Sequence, residues 1–180
     1  MKTKNIERYL TSFGKYIVKQ ARTNLTKGKP PYGSKNVTKQ LYNSISFRVD
    51  EDAKGFSLKL FMLDYGKFVD KGVSGNKQIQ DYTTYDGRKV ESPYKYRSKQ
   101  PPASILEKWI RARGLKGRDS ETGRYITNKS FAFLIARKIK VRGIKSTSFF
   151  QRPIGLGLQT FGKDILKAIK QDIIDTVNNN

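Results

Sequence analysis

The sequence of 180 residues contains neither cysteine nor histidine. The absence of cysteine excludes disulfide bonds and thiol nucleophiles, and the absence of both residue types excludes the zinc sites that they build. Without histidine the chain also lacks the commonest general base near pH 7. This composition suits a reducing compartment.

Acidic residues are scarce: 15 Asp and Glu stand against 37 Lys and Arg, which gives a net charge of +22. The excess lies in two blocks. Residues 1–50 hold eleven basic and two acidic side chains, and residues 108–152 hold thirteen and two, whereas 51–74 and 153–180 are each neutral. This charge favours a polyanion or an acidic protein surface as partner, and we expect core or subunit contacts in the neutral stretches.

Long hydrophobic runs are missing as well. No stretch approaches the roughly 18 apolar residues that a membrane span requires, and the N-terminus shows an amphipathic pattern instead of a signal peptide. We therefore expect no membrane partner. Hydrophobic residues still make up 36% and aromatic residues 12% of the chain, which is enough to predict one folded domain over residues 1–180.

The first half of the chain predicts one long helix and a hairpin. Apolar residues recur at steps of three and four from Lys4 to Thr26, which predicts an amphipathic helix that ends in the loop Lys27–Gly33. A short helical turn over 37–44 precedes two alternating segments, Ser44–Asp50 and Phe56–Leu63. Their alternation predicts antiparallel strands joined by a polar turn.

The middle of the chain predicts an insertion followed by two helices. Residues 73–100 show no clean period and predict a long loop or insertion that holds a small hairpin at Asp86-Gly87. One helix opens at Pro101–Ser104, and a second runs from Thr127 or Asn128 to Arg142. The residues expected to be buried on these helices are Ile105, Leu106, Trp109, Ile110, Phe131, Ile135 and Ile139.

An extended segment over Ser146–Arg152 and a last helix over Leu158–Val177 complete the pattern. The residues expected to be buried on the last helix are Leu158, Phe161, Ile165, Ile169 and Ile173. This order of elements predicts an α+β fold, in which a small antiparallel sheet packs with an N-terminal helix, two middle helices and a C-terminal helix.

No arrangement of side chains predicts catalysis. Acidic residues near loops would be the ligands of a magnesium-dependent nuclease, but they stand alone and no motif fixes their geometry. Those residues are Asp64, Asp70, Asp81, Asp86 and Glu91, and the tyrosines considered as nucleophiles are Tyr82 and Tyr85. We expect no enzyme, no metal and no cofactor, and a metal-dependent nuclease is the enzymatic alternative.

The basic blocks leave two interpretations open. They form a solvated basic surface, or they make sequence-independent contact with nucleic acid, to phosphates and not to base edges. Cations late in the helix over 128–142 also complement its dipole, so part of this block has a structural explanation. Tyrosines between residues 82 and 96 would stack on bases or pack against a neighbouring subunit. The residues expected to face DNA or an acidic partner are Lys15, Lys19, Arg22, Arg88, Lys89, Arg97, Lys99, Arg137, Lys140 and Arg142.

Several segments, in their order along roughly residues 5–175, resemble bacteriophage head–tail connector proteins of the tail-completion type, which are neck or minor tail components. The segment 37–45 is similar to the family's segment that enters the sheet, in which a leucine is followed by Ser-Ile. Asp64–Gly72 is similar to its strand-end motif, and Phe149–Pro153 to its aromatic-x-Arg-Pro segment. The middle segments Pro101–Ile110 and 131–144 resemble the middle part of longer members of this family. The chain departs from the pattern in Lys71, its charge and its long 73–100 segment.

The resemblance implies a tail-completion-like domain that acts as a structural virion protein, assembled in the host cytoplasm. Copies would form a homo-oligomeric ring in the neck, joining the portal or adaptor to the tail proteins and surrounding packaged DNA, which they would meet through non-specific electrostatics. The alternative is a sequence-independent nucleic-acid-binding protein. The motif or inter-subunit residues that the resemblance implies are Leu41, Ser44, Tyr65, Gly66, Phe68, Val69, Gly72, Phe149, Phe150, Arg152 and Pro153.

Overall fold

The computed structural model describes residues 4–27, 38–52 and 55–178. The helices in these ranges are α1 (Lys4–Thr26), α2 (Gln40–Ser44), α3 (Gly66–Lys71), α4 (Ala103–Ala112), α5 (Asn128–Arg142) and α6 (Gln151–Asn178). The strands are β1 (Ser46–Asp52), β2 (Gly55–Phe61), β3 (Val73–Ser74), β4 (Asp81–Thr83), β5 (Lys89–Glu91) and β6 (Gly143–Ile144). The predicted α+β class is confirmed, and the described strands pair as β1–β2, β3–β6 and β4–β5.

Contacts within the chain divide it into two compact units. Unit 1 comprises residues 1–66, 83–88 and 148–180, and unit 2 comprises 67–82 and 89–147. One domain over the whole chain therefore stays a prediction. The hairpin predicted at Asp86-Gly87 is confirmed, because the N–H of Thr84 donates to the carbonyl of Arg88 over 2.9 Å between β4 and β5.

Unit 1 is built on α1, whose predicted bounds are confirmed. Its apolar stripe is buried at Leu10, Ile17, Ala21 and Leu25. The β1–β2 hairpin packs on this helix in an antiparallel register that runs from Ser46 opposite Phe61 to Asp52 opposite Gly55. Most of the loop predicted after α1, the first residue of the predicted 37–44 turn, and residues 53–54 of the predicted hairpin turn lie outside the described residues.

The last helix corrects two predictions. The extended segment over Ser146–Arg152 is wrong at its end, because α6 already begins at Gln151 and takes Arg152 and Pro153 into its first turn. Proline fits there, since the first turn of a helix has no partner for a backbone N–H. The segment before it, over 145–148, is irregular.

The buried face of α6 also differs from the prediction. Leu158, Ile169 and Ile173 are exposed, while Phe161 is half-buried against rings of Tyr9, Phe13 and Tyr16 at centroid distances of 5.9, 5.6 and 5.3 Å. The inward-facing positions of α6 follow steps of four, four, three and four and are Gly157, Phe161, Ile165, Ala168 and Asp172.

Asp172 explains why a polar residue lies on that face. Its carboxylate accepts hydrogen bonds from the backbone N–H groups of Asn5 and Ile6, at 3.1 and 3.0 Å, and from the Asn5 side-chain amide at 2.8 Å. These N–H groups belong to the first turn of α1 and have no partner inside that helix. The carboxylate therefore caps α1 and complements the positive end of its dipole.

Unit 2 is built on the packing of α4 against α5. Thr127 accepts a 3.2 Å hydrogen bond from the N–H of Ser130 and caps α5, as predicted, and Gly143 ends it. The inward face of α5 is centred on Ala132 and Ala136, so the predicted stripe of larger residues is only half-buried. On α4 the prediction is wrong for Ile105, which is 64% exposed.

Candidate functional site

The strand-end motif of residues 64–72 forms α3 and leads into β3. Thr147 holds this segment through its backbone N–H and its hydroxyl, which donate to the carbonyl of Val69 over 3.1 and 2.7 Å. Gly72 has φ +72°, and a Cβ there would lie 2.7 Å from the Ile144 carbonyl oxygen. Phe68 is partly exposed and meets the Tyr94 ring edge-on at 4.6 Å. Gly72 and Val69 are therefore structural positions, whereas Phe68 reaches the surface.

The motif residues of unit 1 hold the end of β2 against α2. Ser44 donates through its hydroxyl to the Leu41 carbonyl over 2.9 Å and accepts from the N–H of Leu63 over 3.2 Å. Leu41 is buried, and the Gly66 backbone lies so close that a Cβ would be 2.7 Å from the sulfur of Met62. These motif residues stabilise the fold of unit 1.

The last residue of β2 and a leucine that follows it are exposed together with the motif tyrosine. Phe61, Leu63 and Tyr65 are exposed by 44, 41 and 41%, and they alternate along the end of the hairpin. We call these three residues the hairpin patch. Phe61 is the last residue of β2, and Leu63 and Tyr65 follow it before α3, so the three are exposed apolar side chains close together along the chain.

The aromatic-x-Arg-Pro segment contributes mainly to the core. Phe149, Phe150 and Pro153 are buried, and the side-chain amide of Asn24 donates to the Phe149 carbonyl over 3.5 Å. Arg152 is exposed. A role of this segment in contacts between subunits therefore concerns Arg152, and it stays a prediction.

Three of the predicted cations line one groove of unit 1 with a volume of about 640 Å³, formed by α1, α2 and β1. Lys15 and Lys19 are exposed at its edge. Arg22 instead donates to the carbonyls of Tyr42 and Ile45 over 3.1 and 2.9 Å, and its guanidinium lies 5.2 Å from the Tyr42 ring. Arg22 therefore stabilises the end of α2, whereas Lys15 and Lys19 are accessible to a partner.

The cations around the β4–β5 hairpin and the loop after it are all exposed. Arg88 pairs with Asp86 over 2.6 Å. The pKa of Asp86 is lowered first by the hydrogen bond from the Thr84 hydroxyl and then by this pairing with Arg88. Lys89 is exposed on β5, and Arg97 and Lys99 line a shallow groove next to prolines 101 and 102. Arg88 is thus partly neutralised.

The predicted cations of α5 lie in its second half. Arg137 and Arg142 are exposed, and Lys140 is half-buried. The backbone carbonyl of Lys140 accepts from the N–H of Asn76 over 2.9 Å, and that of Arg142 accepts from the Gln80 side chain over 2.7 Å. The carbonyls at the C-terminal end of α5 therefore have hydrogen-bond partners. The cationic side chains can interact with the helix dipole or bind a ligand.

A second group of basic and aromatic residues is not among those predicted to face a partner. Residues 117–126 form a hairpin that presents Arg118 and Tyr125 beside the start of α5, where Lys129 and Phe133 lie. The arginine, the lysine and the phenylalanine line one cavity of about 660 Å³. The signal available in the sequence was the absence of Asp and Glu from Thr122 to Lys163.

The outer face of α6 holds three of the residues predicted to be buried, Leu158, Ile169 and Ile173, and is an extended row of exposed apolar residues. We call it the α6 stripe. Its residues recur at steps of eight, three, four and four and are Leu158, Leu166, Ile169, Ile173 and Val177. Leu166 and Val177 are 67 and 69% exposed. The α6 stripe and the face that packs on α1 are different sides of one helix.

The acidic residues do not converge on a reaction centre. Asp70 is buried, and Asp86 is engaged at the hairpin tip. Across residues 4–27, 38–52 and 55–178, no group of three or more carboxylates comes together in the manner of a metal site. In the same part of the chain, no helix combines the length and apolar character that crossing a membrane requires.

Comparison of the chain with known proteins gave no match among family models, curated proteins or solved structures.

Proposed function

We propose that this protein is a structural component of a bacteriophage neck, whose copies form a ring that joins the head to the tail around the DNA path. The order of the motifs in residues 37–45, 64–72 and 149–153 supports the phage assignment. The protein would work without turnover, in contact with portal or adaptor and tail proteins, and would be located in the virion.

The observation that carries the ring proposal is the α6 stripe. Monomeric proteins rarely leave a long contiguous apolar surface in water, and such surfaces mark contacts with other molecules. The stripe lies in the neutral part of a chain whose net charge is +22, where repulsion between copies is smallest. A second copy is therefore the occupant that the charge distribution favours.

A ring requires two unlike surfaces on each copy, because a head-to-tail contact repeats until it closes. Unit 1 carries both an α6 stripe and a hairpin patch, and the two are made of different residues. We propose that the hairpin patch of one copy packs on the α6 stripe of the next.

The test uses one glutamate substitution on each surface. Ile173→Glu and Phe61→Glu should each leave the protein monomeric in native mass spectrometry, while the wild type forms higher oligomers. Mixing the two variants should restore one intact contact and give 1:1 heterodimers but no rings. Thr160→Glu places the same charge elsewhere on α6 and should leave assembly unchanged.

Rings that persist in both glutamate variants would contradict this interface. The ring itself is tested by electron microscopy of the protein with its virion partners, since ring formation by such proteins often requires the portal. A protein that stays monomeric in the presence of those partners would contradict the proposed function.

The second candidate, a sequence-independent nucleic-acid-binding protein, is favoured by one observation, which is the basic surface of α5. It predicts tight binding by the isolated chain with a steep dependence on salt. The exposed cations of α5 are the residues that would bind the nucleic acid.

A further inference from the structure

Unit 2 carries a continuous surface of cations and aromatic rings, which we call the basic–aromatic ridge. Its residues are Arg118, Tyr125, Lys129, Phe133, Arg137 and Lys140. Those on α5 are separated by steps of four, four and three, which places them on one side of the helix. Phe133 lies between cations and is 50% exposed, although the apolar face of α5 is packed elsewhere.

The hairpin that supplies Arg118 and Tyr125 is held in one conformation. Its two strands are joined by hydrogen bonds from Asp119 N–H to the Arg124 carbonyl at 2.9 Å and from Ile126 N–H to the Gly117 carbonyl at 3.1 Å. The Arg118 guanidinium donates to the Tyr125 hydroxyl over 2.7 Å and lies 4.5 Å from its ring centroid. Contacts within the hairpin therefore position Arg118 and Tyr125 beside each other.

The charge of the ridge is suited to a row of phosphates. No acidic residue occurs between Thr122 and Lys163, and among the described residues no acid forms a salt bridge with a cation of α5. Asp119 lines the same cavity as Arg118 and Lys129. Its carboxylate accepts hydrogen bonds from Glu121 and Thr122 within the hairpin. Protein–protein interfaces are depleted in lysine at their centres and usually carry both signs of charge. A helix face that carries cations and an exposed aromatic ring matches a nucleic-acid strand better than it matches a protein surface.

The span of the ridge also fits such a strand. Lys129 and Lys140 are eleven residues apart on α5, which corresponds to about 16 Å along the helix. That distance covers two to three phosphates of an extended strand, and Phe133 lies between the two ends. Arg118 adds a guanidinium fork, the geometry that binds phosphate oxygens in pairs.

We propose that the basic–aromatic ridge is a nucleic-acid-binding site. Its cations hold the phosphates of duplex or single strands, and Phe133 stacks on a base where the strand is unpaired. The identification of this ligand with the DNA in the particle rests on the proposed function. The binding itself belongs to unit 2 and is independent of the α6 stripe.

The test measures binding by fluorescence anisotropy on the full chain, with labelled oligo(dT) of about 20 nucleotides, a duplex of the same length, and a polyglutamate peptide. Lys129→Gln combined with Arg137→Gln should weaken binding to both nucleic acids. The slope of log affinity against log salt should fall by about 2 in magnitude, one for each phosphate contact removed. Phe133→Leu should weaken oligo(dT) binding about tenfold and leave duplex binding unchanged.

The matched control is Lys163→Gln combined with Lys170→Gln, which removes the same charge from exposed positions of α6. This variant should bind as the wild type does. Equal losses in the ridge and control variants would overturn the site, since net charge alone would then explain binding. Polyglutamate bound as tightly as oligo(dT) would overturn it in favour of an acidic protein.

Circular dichroism and thermal melting establish that the variants are folded. The Ile173→Glu monomer should bind oligo(dT) as tightly as the wild type, per chain. In the wild type, absence of the ring with oligo(dT) binding retained would contradict the proposed function alone. Loss of ridge-dependent binding with the ring retained would contradict the ridge alone.

Discussion

At the scale of single residues, one buried carboxylate decides the orientation of the last helix. Asp172 lies on the inward face of α6 and joins residues that are 167 positions apart in the sequence. A hydrophobic pattern treats aspartate as a surface residue, so it does not place Asp172 with Phe161 and Ile165 on the buried face. The capping of α1 is a tertiary contact, and no local pattern in either helix announces it.

Replacing this carboxylate with an apolar side chain should therefore destabilise the protein. Asp172→Leu keeps a helix-forming residue but leaves the N–H groups of Asn5 and Ile6 without their acceptor. We expect a loss of about 2–3 kcal/mol in the free energy of unfolding, measured by urea denaturation. Ile173→Ala on the exposed side should change it by less than about 0.5 kcal/mol. An unchanged stability in Asp172→Leu would contradict the cap.

A second residue-scale prediction concerns the hairpin that supports the ridge. Hydrogen bonds from the Thr122 backbone N–H and hydroxyl, and from the Glu121 N–H, hold the pKa of Asp119 below its ordinary value. A carboxyl whose pKa is lower in the folded state stabilises it fully above the unfolded value of about 3.9, and this contribution is lost as the pH falls through the folded value.

We therefore expect the hairpin to loosen only as the pH falls below the ordinary pKa of an aspartate, about 3.9. Nuclear magnetic resonance titration of the Asp119 carboxyl and the Thr122 amide measures this directly. An isolated peptide of residues 117–126 provides the reference and should titrate at higher pH. Equal titration in the peptide and the protein would show that the turn does not hold the charge.

At the scale of elements, local signals predicted α1 and α5 well and α6 poorly. Thr127 and Gly143 mark the ends of α5 through capping chemistry that depends on neighbouring residues. On α6, apolar residues follow two sides of the helix, and a periodic pattern cannot tell which one packs on α1. The predicted buried residues came from both sides: Phe161 and Ile165 lie on the side that packs on α1, whereas Leu158, Ile169 and Ile173 lie on the exposed side.

Glycines at the β3–β6 junction have a role that the sequence did not reveal. A Cβ on Gly75 would collide with the backbone carbonyl of Val141 and lie 2.6 Å from the N–H nitrogen of Gly143. Backbone cannot move aside as a flexible side chain can. Such a close approach joins segments distant in sequence, which explains why it was missed.

Gly75→Ala should lower the melting temperature markedly, with a loss of at least about 2 kcal/mol. Gly162→Ala is the matched control, because a Cβ there meets nothing within 4 Å and the residue lies inside α6. Alanine in a helix interior should raise stability by about 0.5–1 kcal/mol. Equal effects of the two substitutions in thermal unfolding would contradict a close approach at the junction.

At the scale of the whole molecule, composition predicted the presence of basic surfaces but not their use. Of the ten cations named from the sequence, Arg22 is engaged by backbone carbonyls and Arg88 by a carboxylate. Arg137 and Lys140 remain exposed or half-exposed on the ridge, where the fold adds Arg118 and Lys129. Charge counts do not distinguish an anchored guanidinium from a free one, because that difference depends on which acceptors the fold places beside it, such as the Tyr42 and Ile45 carbonyls beside Arg22.

The same net charge makes the two proposed activities respond to salt in opposite directions. Copies that carry +22 repel one another, and the repulsion is screened as the Debye length falls from about 10 Å at 0.1 M to about 3 Å at 1 M. Contact between the α6 stripe and the hairpin patch is apolar and survives that screening. Raising NaCl from about 50 to 500 mM should therefore increase the mean mass of nuclease-treated protein in sedimentation velocity.

Over the same range, affinity for oligo(dT) should fall by about 100- to 1000-fold, because each phosphate contact releases a bound counterion. Assembly that weakens together with nucleic-acid binding would mean that polyanions hold the copies together, and the α6 stripe would lose its role. Assembly that strengthens while binding weakens separates the two surfaces. A neck subunit that carries both the α6 stripe and the basic–aromatic ridge would then bind its neighbours through apolar contacts and bind DNA through ionic contacts that dissociate readily.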